Sequence, residues 1–249
     1  MLTFSRLGHY GRFANSLFQI AGTIGLAIKN GYSYGFPQWV NHDHARLGYP
    51  DDIQVQKYFV NPLPQLSTTS YPDFPIPWGW YPDLKIPDNV SLSGHLQSEK
   101  YFAHCIDTIR HYFTMKEEYP QNGDVAVHVR LGDYDDKYHT RLKRDYYEKA
   151  MVQFGPDTSF KVFSDDPEKA EEMLQGLGYI HVYRGANYLD DFKMMKSSKH
   201  FITGNSSFSL MAAILGTHPD KTIICPSHWF GPAWCPETKD LYPEKAIII

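Results

Sequence analysis

The densest run of chemically capable side chains is His128-Val-Arg130-Leu-Gly-Asp133-Tyr134, which follows directly on the apolar stretch Val125-Ala-Val-His-Val129. β-Branched residues in that stretch predict a buried strand, so a guanidinium and a carboxylate stand together at a strand end. A planar, permanently charged fork in that position suits a diphosphate, because it grips two oxygens at once and stabilises negative charge on a departing nucleotide. An Arg130–Asp133 ion pair that merely ties the loop accounts for the same residues. His128 alternates with Val127 and Val129, and is either a hydrogen-bonded core histidine or a donor toward a ligand.

Two further loops carry small polar groups. In Phe163-Ser-Asp-Asp-Pro167, Asp166 is placed as a helix N-cap with proline at the first helical position. Asp165, next to Ser164, is left without a local duty, and a carboxylate accepts both the ring N–H and the exocyclic amine of guanine, a pair adenine lacks. Thr203-Gly-Asn-Ser-Ser-Phe-Ser209 leads into the apolar helix Leu210–Leu215, so Ser206 and Ser207 either cap that helix or, with its backbone N–H groups, hold phosphate. Near the start, a strand at Leu2–Arg6, a loop at Gly8–Gly11 and a helix at Phe13–Ile28 form a second order suited to phosphate at a helix N-terminus. Acidic doublets occur at Asp51-Asp52, Asp135-Asp136, Asp165-Asp166 and Asp190-Asp191, and Asp133-Tyr-Asp135 is a D-x-D that could hold Mg²⁺. Arg130 precedes it and can neutralise phosphates without a metal, so no metal site is expected. G-x-x-x-x-G-K-[ST], G-x-G-x-x-G and G-x-S-x-G are all absent, which argues against P-loop, dinucleotide and serine-hydrolase chemistry.

The elements that must position these loops follow a regular rhythm after Gly123. Strands are predicted at 125–129, 160–163, 180–183, 201–203 and 222–225, with helices at 145–154, 167–174, 190–198 and 206–215 between them. Such alternation predicts a parallel, Rossmann-like sheet with ligands at the carboxyl ends of its strands. Residues 50–90 hold eight of the seventeen prolines, with Tyr71, Phe74, Trp78, Trp80 and Tyr81, and read as an irregular wrap whose aromatics fill gaps or stack against a sugar. The domain boundary is placed near Pro120–Gly123.

The chain has 249 residues, 42% hydrophobic and 21% charged, with a formal charge of −4. That balance supports a sizeable core and offers no basic surface for nucleic acid. Cysteines at 105, 225 and 235 lack metal or disulfide spacing and suit a reducing setting. The uncharged stretch Phe13–Ile28 is too short and too polar to span a bilayer, and no cleavage site follows it. The expectation is a soluble cytoplasmic protein without a transmembrane segment, compatible with peripheral association at an inner membrane face.

Taken in order, the motifs resemble the α-1,2-fucosyltransferase family, glycosyltransferase family 11. Gly11-Arg-Phe-Ala-Asn-Ser-Leu-Phe-Gln19 resembles G-x-L-G-N-Q-x-F-Q with Ala14 and Ser16 as departures, and Gly94-His-Leu-Gln-Ser-Glu-Lys-Tyr-Phe102 is similar to G-Y-x-Q-S-x-x-Y-F. His128–Tyr134 looks like H-x-R-R-G-D-Y with Leu131 at the second arginine, while Phe163–Asp166, Asn205–Ser209 and Lys239–Pro243 resemble F-S-D-D, N-S-S-F-S and the closing segment. The resemblance implies an α/β, GT-B-like architecture of two Rossmann-like lobes, residues 1–120 and 121–249, without a cofactor or metal. It implies inverting transfer of L-fucose from a GDP-sugar donor, GDP-β-L-fucose, to a glycan acceptor. Gly11, Arg12, Asn15, His128, Arg130, Ser164, Asp165, Asn205, Ser206, Ser207 and Phe208 fall on the donor side by this carry-over, and His95, Gln97, Trp78 and Trp80 on the acceptor side. Arg130 is the expected stabiliser of the leaving GDP, and Asp133 the expected base, with His95 and Glu99 behind it. Two other readings remain open: a transferase using another nucleotide sugar, and a non-catalytic glycan-binding protein that stacks sugar on Trp78, Trp80 and Tyr81.

Overall fold

The computed structural model describes residues 1–40, 54–66, 70–78, 80–234 and 236–249, so Asp51-Asp52 and Cys235 lie outside the described residues. The chain divides into two compact units, Met1–Glu117 with Glu237–Tyr242, and Glu118–Pro236 with Pro243–Ile249. The first break lies close to the boundary read from the sequence. Residues 237–242, placed by the sequence reading in the second lobe, belong instead to the first unit. The reason is Asp240, only 6% exposed, which pairs with Lys100 at 2.5 Å and accepts the Tyr81 N–H at 2.8 Å.

In the first unit, β1 (Leu2–Thr3), β2 (Asp73–Pro75) and β3 (Val90–Ser93) form a parallel sheet in the order β1-β3-β2. Regular structure is thus present inside the proline-rich stretch, and Pro75 is tolerated because β2 lies at the sheet edge. The predicted strand to Arg6 stops at Thr3, because the Ser5 N–H turns to the Ser91 hydroxyl and the next residues close on themselves through Leu7 N–H to Phe4 O.

Helix α1 (Phe13–Asn30) runs two residues past the predicted end at Ile28 and stops at Gly31, whose φ of 70° supplies the left-handed cap. It is buried almost all round instead of along one stripe, with Ser16, Gln19 and Thr23 fully buried. Gly22 and Gly25 make that possible, since a Cβ at either would run into Leu96 or the Tyr101 carbonyl. A short helix, α2 (Ile106–Tyr112), follows the 3₁₀ turns at Glu99–Tyr101 and Ala103–Cys105.

The second unit carries every strand and helix expected of it, in the parallel order β6-β5-β4-β7-β8-β9. Its strands are β4 (Val125–Val129), β5 (Ser159–Ser164), β6 (Tyr179–Val182), β7 (His200–Ile202), β8 (Ile223–Cys225) and β9 (Ile247–Ile248), the last not anticipated. The helices are α3 (Arg144–Met151), α4 (Pro167–Leu174), α5 (Tyr188–Lys196) and α6 (Ser207–Leu215). All five β4 residues are buried, as a central parallel strand covered on both faces requires. Val127, Val129, Val162, Ile202, Ile224 and Tyr147 meet in the core below the strand ends. Among the described residues no helix is long and apolar enough to cross a membrane.

Candidate active site

Successive strands run outward from β4 through β5 to β6, and the chain then crosses back to place β7 on the other side of β4. Strand order therefore reverses between β4 and β7, and the crevice at that point, beyond the carboxyl ends, is where parallel sheets bind ligands. Three loops meet around it: Arg130–Tyr134 after β4, Ser164–Asp166 after β5, and Thr203–Ser206 leading into α6. Register aligns them, with His128 opposite Phe163 and Val129 opposite Ser164.

Arg130 is 15% exposed and pairs with two carboxylates, Asp133 through Nη2 and Asp165 through Nη1 at 3.0 Å. Its guanidinium also lies 5.6 Å from the Tyr134 ring. The Arg130–Asp133 pair that the sequence offered is present, and one expectation is corrected: Asp165 has a local duty. One Asp165 oxygen accepts the Leu131 N–H and the other the Gly132 N–H, both at 2.9 Å, so this carboxylate shapes the arginine loop. Asp133 is the looser partner at 55% exposure. Asp166 caps α4 through the Lys169 N–H as expected, and the Ser164 hydroxyl closes the same turn by accepting the Asp166 N–H at 3.1 Å. Asp135, the far end of the D-x-D, accepts the N–H groups of Tyr138 and Lys137, which hold its carboxyl below the usual range.

His128 is 5% exposed and its Nδ1 has no hydrogen-bond partner, so it is not the fully hydrogen-bonded core histidine of one sequence reading. Burial, reinforced by the Arg130 charge, pushes its pKa down to about 4 and keeps it neutral. A Cβ at Gly204 would sit 3.0 Å from that nitrogen, so glycine lets the β7 loop close on the imidazole. Phe208 packs 5.8 Å from His128 and Ser206 caps α6 through the Phe208 N–H. Ser207 opens the same helix.

Asn205 has a structural role the sequence did not show. Its amide nitrogen donates to Thr140 O at 2.7 Å and Trp229 O at 2.8 Å, clamping two loops, while its Oδ1 is buried without a partner. The reading also missed Tyr134, whose hydroxyl donates to Asn205 O, and the buried Tyr146-Tyr147 pair of α3. The two hydroxyls of that pair donate to Thr203 O at 2.6 Å and His128 O at 3.3 Å, pinning the ends of β7 and β4. Two adjacent tyrosines in a helix rich in charged residues were the available signal.

The remaining candidates gather in the first unit. Gly11, at φ 89°, packs against Asn15, whose Oδ1 accepts from Gln97 at 2.5 Å, and Arg12 stands at the N-cap of α1 without a side-chain cap bond. His95 lies between Tyr10 and Trp78. Trp80 is set apart, held by the Tyr101 hydroxyl on its carbonyl and by Lys239 over its ring. Glu99 begins the 3₁₀ turn capped by Ser98. Among the described residues no cluster of three or more His, Cys, Asp or Glu side chains is arranged to hold a metal.

The chain is 34% identical to the O-antigen biosynthesis glycosyltransferase WbnK of Escherichia coli over 119 residues, which is 43% of this chain and 39% of that protein. It is 24% identical to an Escherichia coli alpha-1,2-colitosyltransferase over 88% of this chain and 90% of the relative. Among solved structures it is similar to the fucosyltransferase NodZ from Bradyrhizobium (14% identity, TM-score 0.47, covering 86% of this chain and 92% of NodZ). It is also similar to the Escherichia coli heptosyltransferase WaaC with ADP (11% identity, TM-score 0.48, covering 99% and 92%), and neither likeness bears on what this chain binds. The profile of glycosyl transferase family 11 matches residues 51–234. Because that match takes in most of the chain and all three loops around Arg130, the chain belongs to glycosyl transferase family 11.

Proposed function

We propose that the protein is an inverting, metal-independent glycosyltransferase that moves L-fucose from GDP-β-L-fucose to a hydroxyl of a glycan. The observation that carries the reading is the Arg130 fork, fixed from below by Asp165 and paired above with the exposed Asp133, at the point where strand order reverses. A diphosphate competes with Asp133 for the outer arm of the guanidinium, while Asp165 keeps the inner arm and the loop in place. The displaced Asp133 carboxylate is then free to act on the acceptor. In the transfer, the bond from sugar C1 to the phosphate oxygen breaks and its electron pair leaves with GDP. The acceptor oxygen bonds to C1 from the opposite face and its proton passes to Asp133. Arg130 and the opening N–H groups of α6 stabilise the charge that develops on the diphosphate. Metal independence is supported by the D-x-D itself, whose carboxylates are engaged by Arg130 and by backbone N–H groups.

The relative named for colitose transfer keeps a second donor in view, since colitose is a deoxygenated counterpart of L-fucose and Leu131 departs from the fucosyltransferase motif. Calorimetric titration with GDP, ADP and UDP, with and without EDTA, tests the nucleotide. Selective, EDTA-insensitive GDP binding is expected; preference for UDP, a need for Mg²⁺, or no binding overturns the reading. Competition between GDP-fucose and GDP-colitose then decides the sugar.

A further inference from the structure

In the first unit, the C-terminal end of α1 and the segment Tyr81–Ile86 line a cavity of about 410 Å³, within the size range of small-molecule sites. Helix α1 has 18 residues, so its two ends stand about 27 Å apart. The cavity lies at one end, and the candidates Gly11, Arg12 and Asn15 lie at the other.

Leu26, Ile86 and Tyr101, all buried, close the floor. The polar groups around it are mostly donors. Lys29 donates to the Tyr81 hydroxyl, whose own proton has no acceptor among the described residues. Lys85 makes no ion pair and no side-chain hydrogen bond among them. Asn30 directs one amide proton to the Leu26 carbonyl at 2.8 Å and keeps the other. The helix end does not absorb this surplus, because the Ala27 and Ile28 carbonyls accept the N–H groups of Tyr32 and Gly31. Among the described lining residues Asp83 is the one carboxylate, so two ammonium groups face a single negative charge.

The central donor is fixed in advance. Tyr81 is anchored through its N–H to Asp240 at 2.8 Å, and its ring meets Tyr101 edge-on, with centroids 4.9 Å apart and planes inclined by 69°. The Tyr101 hydroxyl is in turn held on the Trp80 carbonyl at 3.1 Å. Donors ordered before a ligand arrives lose little freedom when it binds. Their complement is a group that only accepts, carries several oxygens and bears more than one negative charge. A phosphate monoester has these properties.

We propose that this cavity binds a small phosphate monoester, held at its phosphate by Lys29, Tyr81 and Lys85 while its body rests on Leu26, Ile86 and Tyr101. The site is independent of the nucleotide reading, since none of its residues belongs to the loops around Arg130.

Saturation-transfer NMR on the full chain measures binding of D-glucose 6-phosphate, with D-glucose as the uncharged control, and calorimetry measures GDP separately. Lys29→Gln and Lys85→Gln each remove one charge at an exposed position of the cavity, and Lys149→Gln removes an exposed charge in the second unit. The ester is expected to bind the wild-type chain and to bind each cavity variant about tenfold more weakly, the effect of one lost charge-assisted hydrogen bond. Lys149→Gln should leave its affinity unchanged, and GDP should bind all three variants as it binds the wild type. The proposal is overturned by no binding of the ester, by D-glucose binding as tightly, by affinity unchanged in both cavity variants, or by an equal loss in Lys149→Gln. Displacement of the ester by GDP overturns it as well, because the phosphate then occupies the nucleotide site. Lysine-dependent binding of the ester in a chain that does not bind GDP leaves the cavity site standing and removes the nucleotide reading.

Discussion

Asp165→Asn separates two roles that the position can play. The carboxylate accepts from three donors: Leu131 N–H, Gly132 N–H and Arg130 Nη1. An asparagine has one oxygen, and its NH₂ must face one of those donors however it is turned. One charge-assisted hydrogen bond is lost outright, for about 1.5–3 kcal/mol, and those that remain weaken as the charge goes. With the side chain 21% exposed, we expect a total of about 2–4 kcal/mol in unfolding free energy. Asp133→Asn is the control, since that residue is 55% exposed and makes a surface ion pair, for which below about 1 kcal/mol is expected. Urea titration reads the stabilities. On the proposed reading the loop that Asp165 holds serves the diphosphate, common to GDP and ADP, so both affinities should fall by a similar factor of about ten. A variant as stable as wild type, with the loss confined to GDP, would refute the argument: Asp165 would then read guanine, and its bonds to the arginine loop would contribute nothing.

Gly25→Ala and Gly31→Ala should differ sharply, although one lies within α1 and the other caps it. A Cβ at Gly25 meets the Tyr101 carbonyl and the Phe102 Cα, so about 3 kcal/mol or more is expected, whereas Gly31 has open space and only its φ of 70° to strain, for about 1 kcal/mol; equal thermal shifts would contradict this. Burial pushes the Asp191 carboxyl up to about 6, above its unfolded value, so the folded chain holds that proton more tightly and loses stability as pH rises from about 4 to 6. Asp191→Asn keeps an acceptor for the Gly185 N–H and should gain about 1–2 kcal/mol at pH 7.5, after discounting for partial exposure, with the gain vanishing by pH 4 in urea midpoints.

Local chemistry in the sequence determined much of the scaffold. The β-branched run at 125–129, the Asp166-Pro167 helix start and the Gly31 stop each act through neighbours a few residues away, and each appears where its residue types require. The position of Arg130 at a strand end was legible for the same reason, since a charged fork directly after a buried strand is a local feature. The partners of that fork were decided by tertiary structure. Asp165 reaches the Arg130 loop only because β5 pairs with β4 in a register that sets Ser164 beside Val129, and hydrogen bonds between strands have no periodic trace in the sequence. Asn205 reads as one of a run of helix-start residues until the fold brings Thr140 and Trp229 to its amide, and Asp240 reads as a tail residue until Lys100 is beside it. Spacing along the chain specifies which elements form and which face they bury; which distant loops meet at a strand end depends on strand order and packing, and those are settled only when the whole core closes.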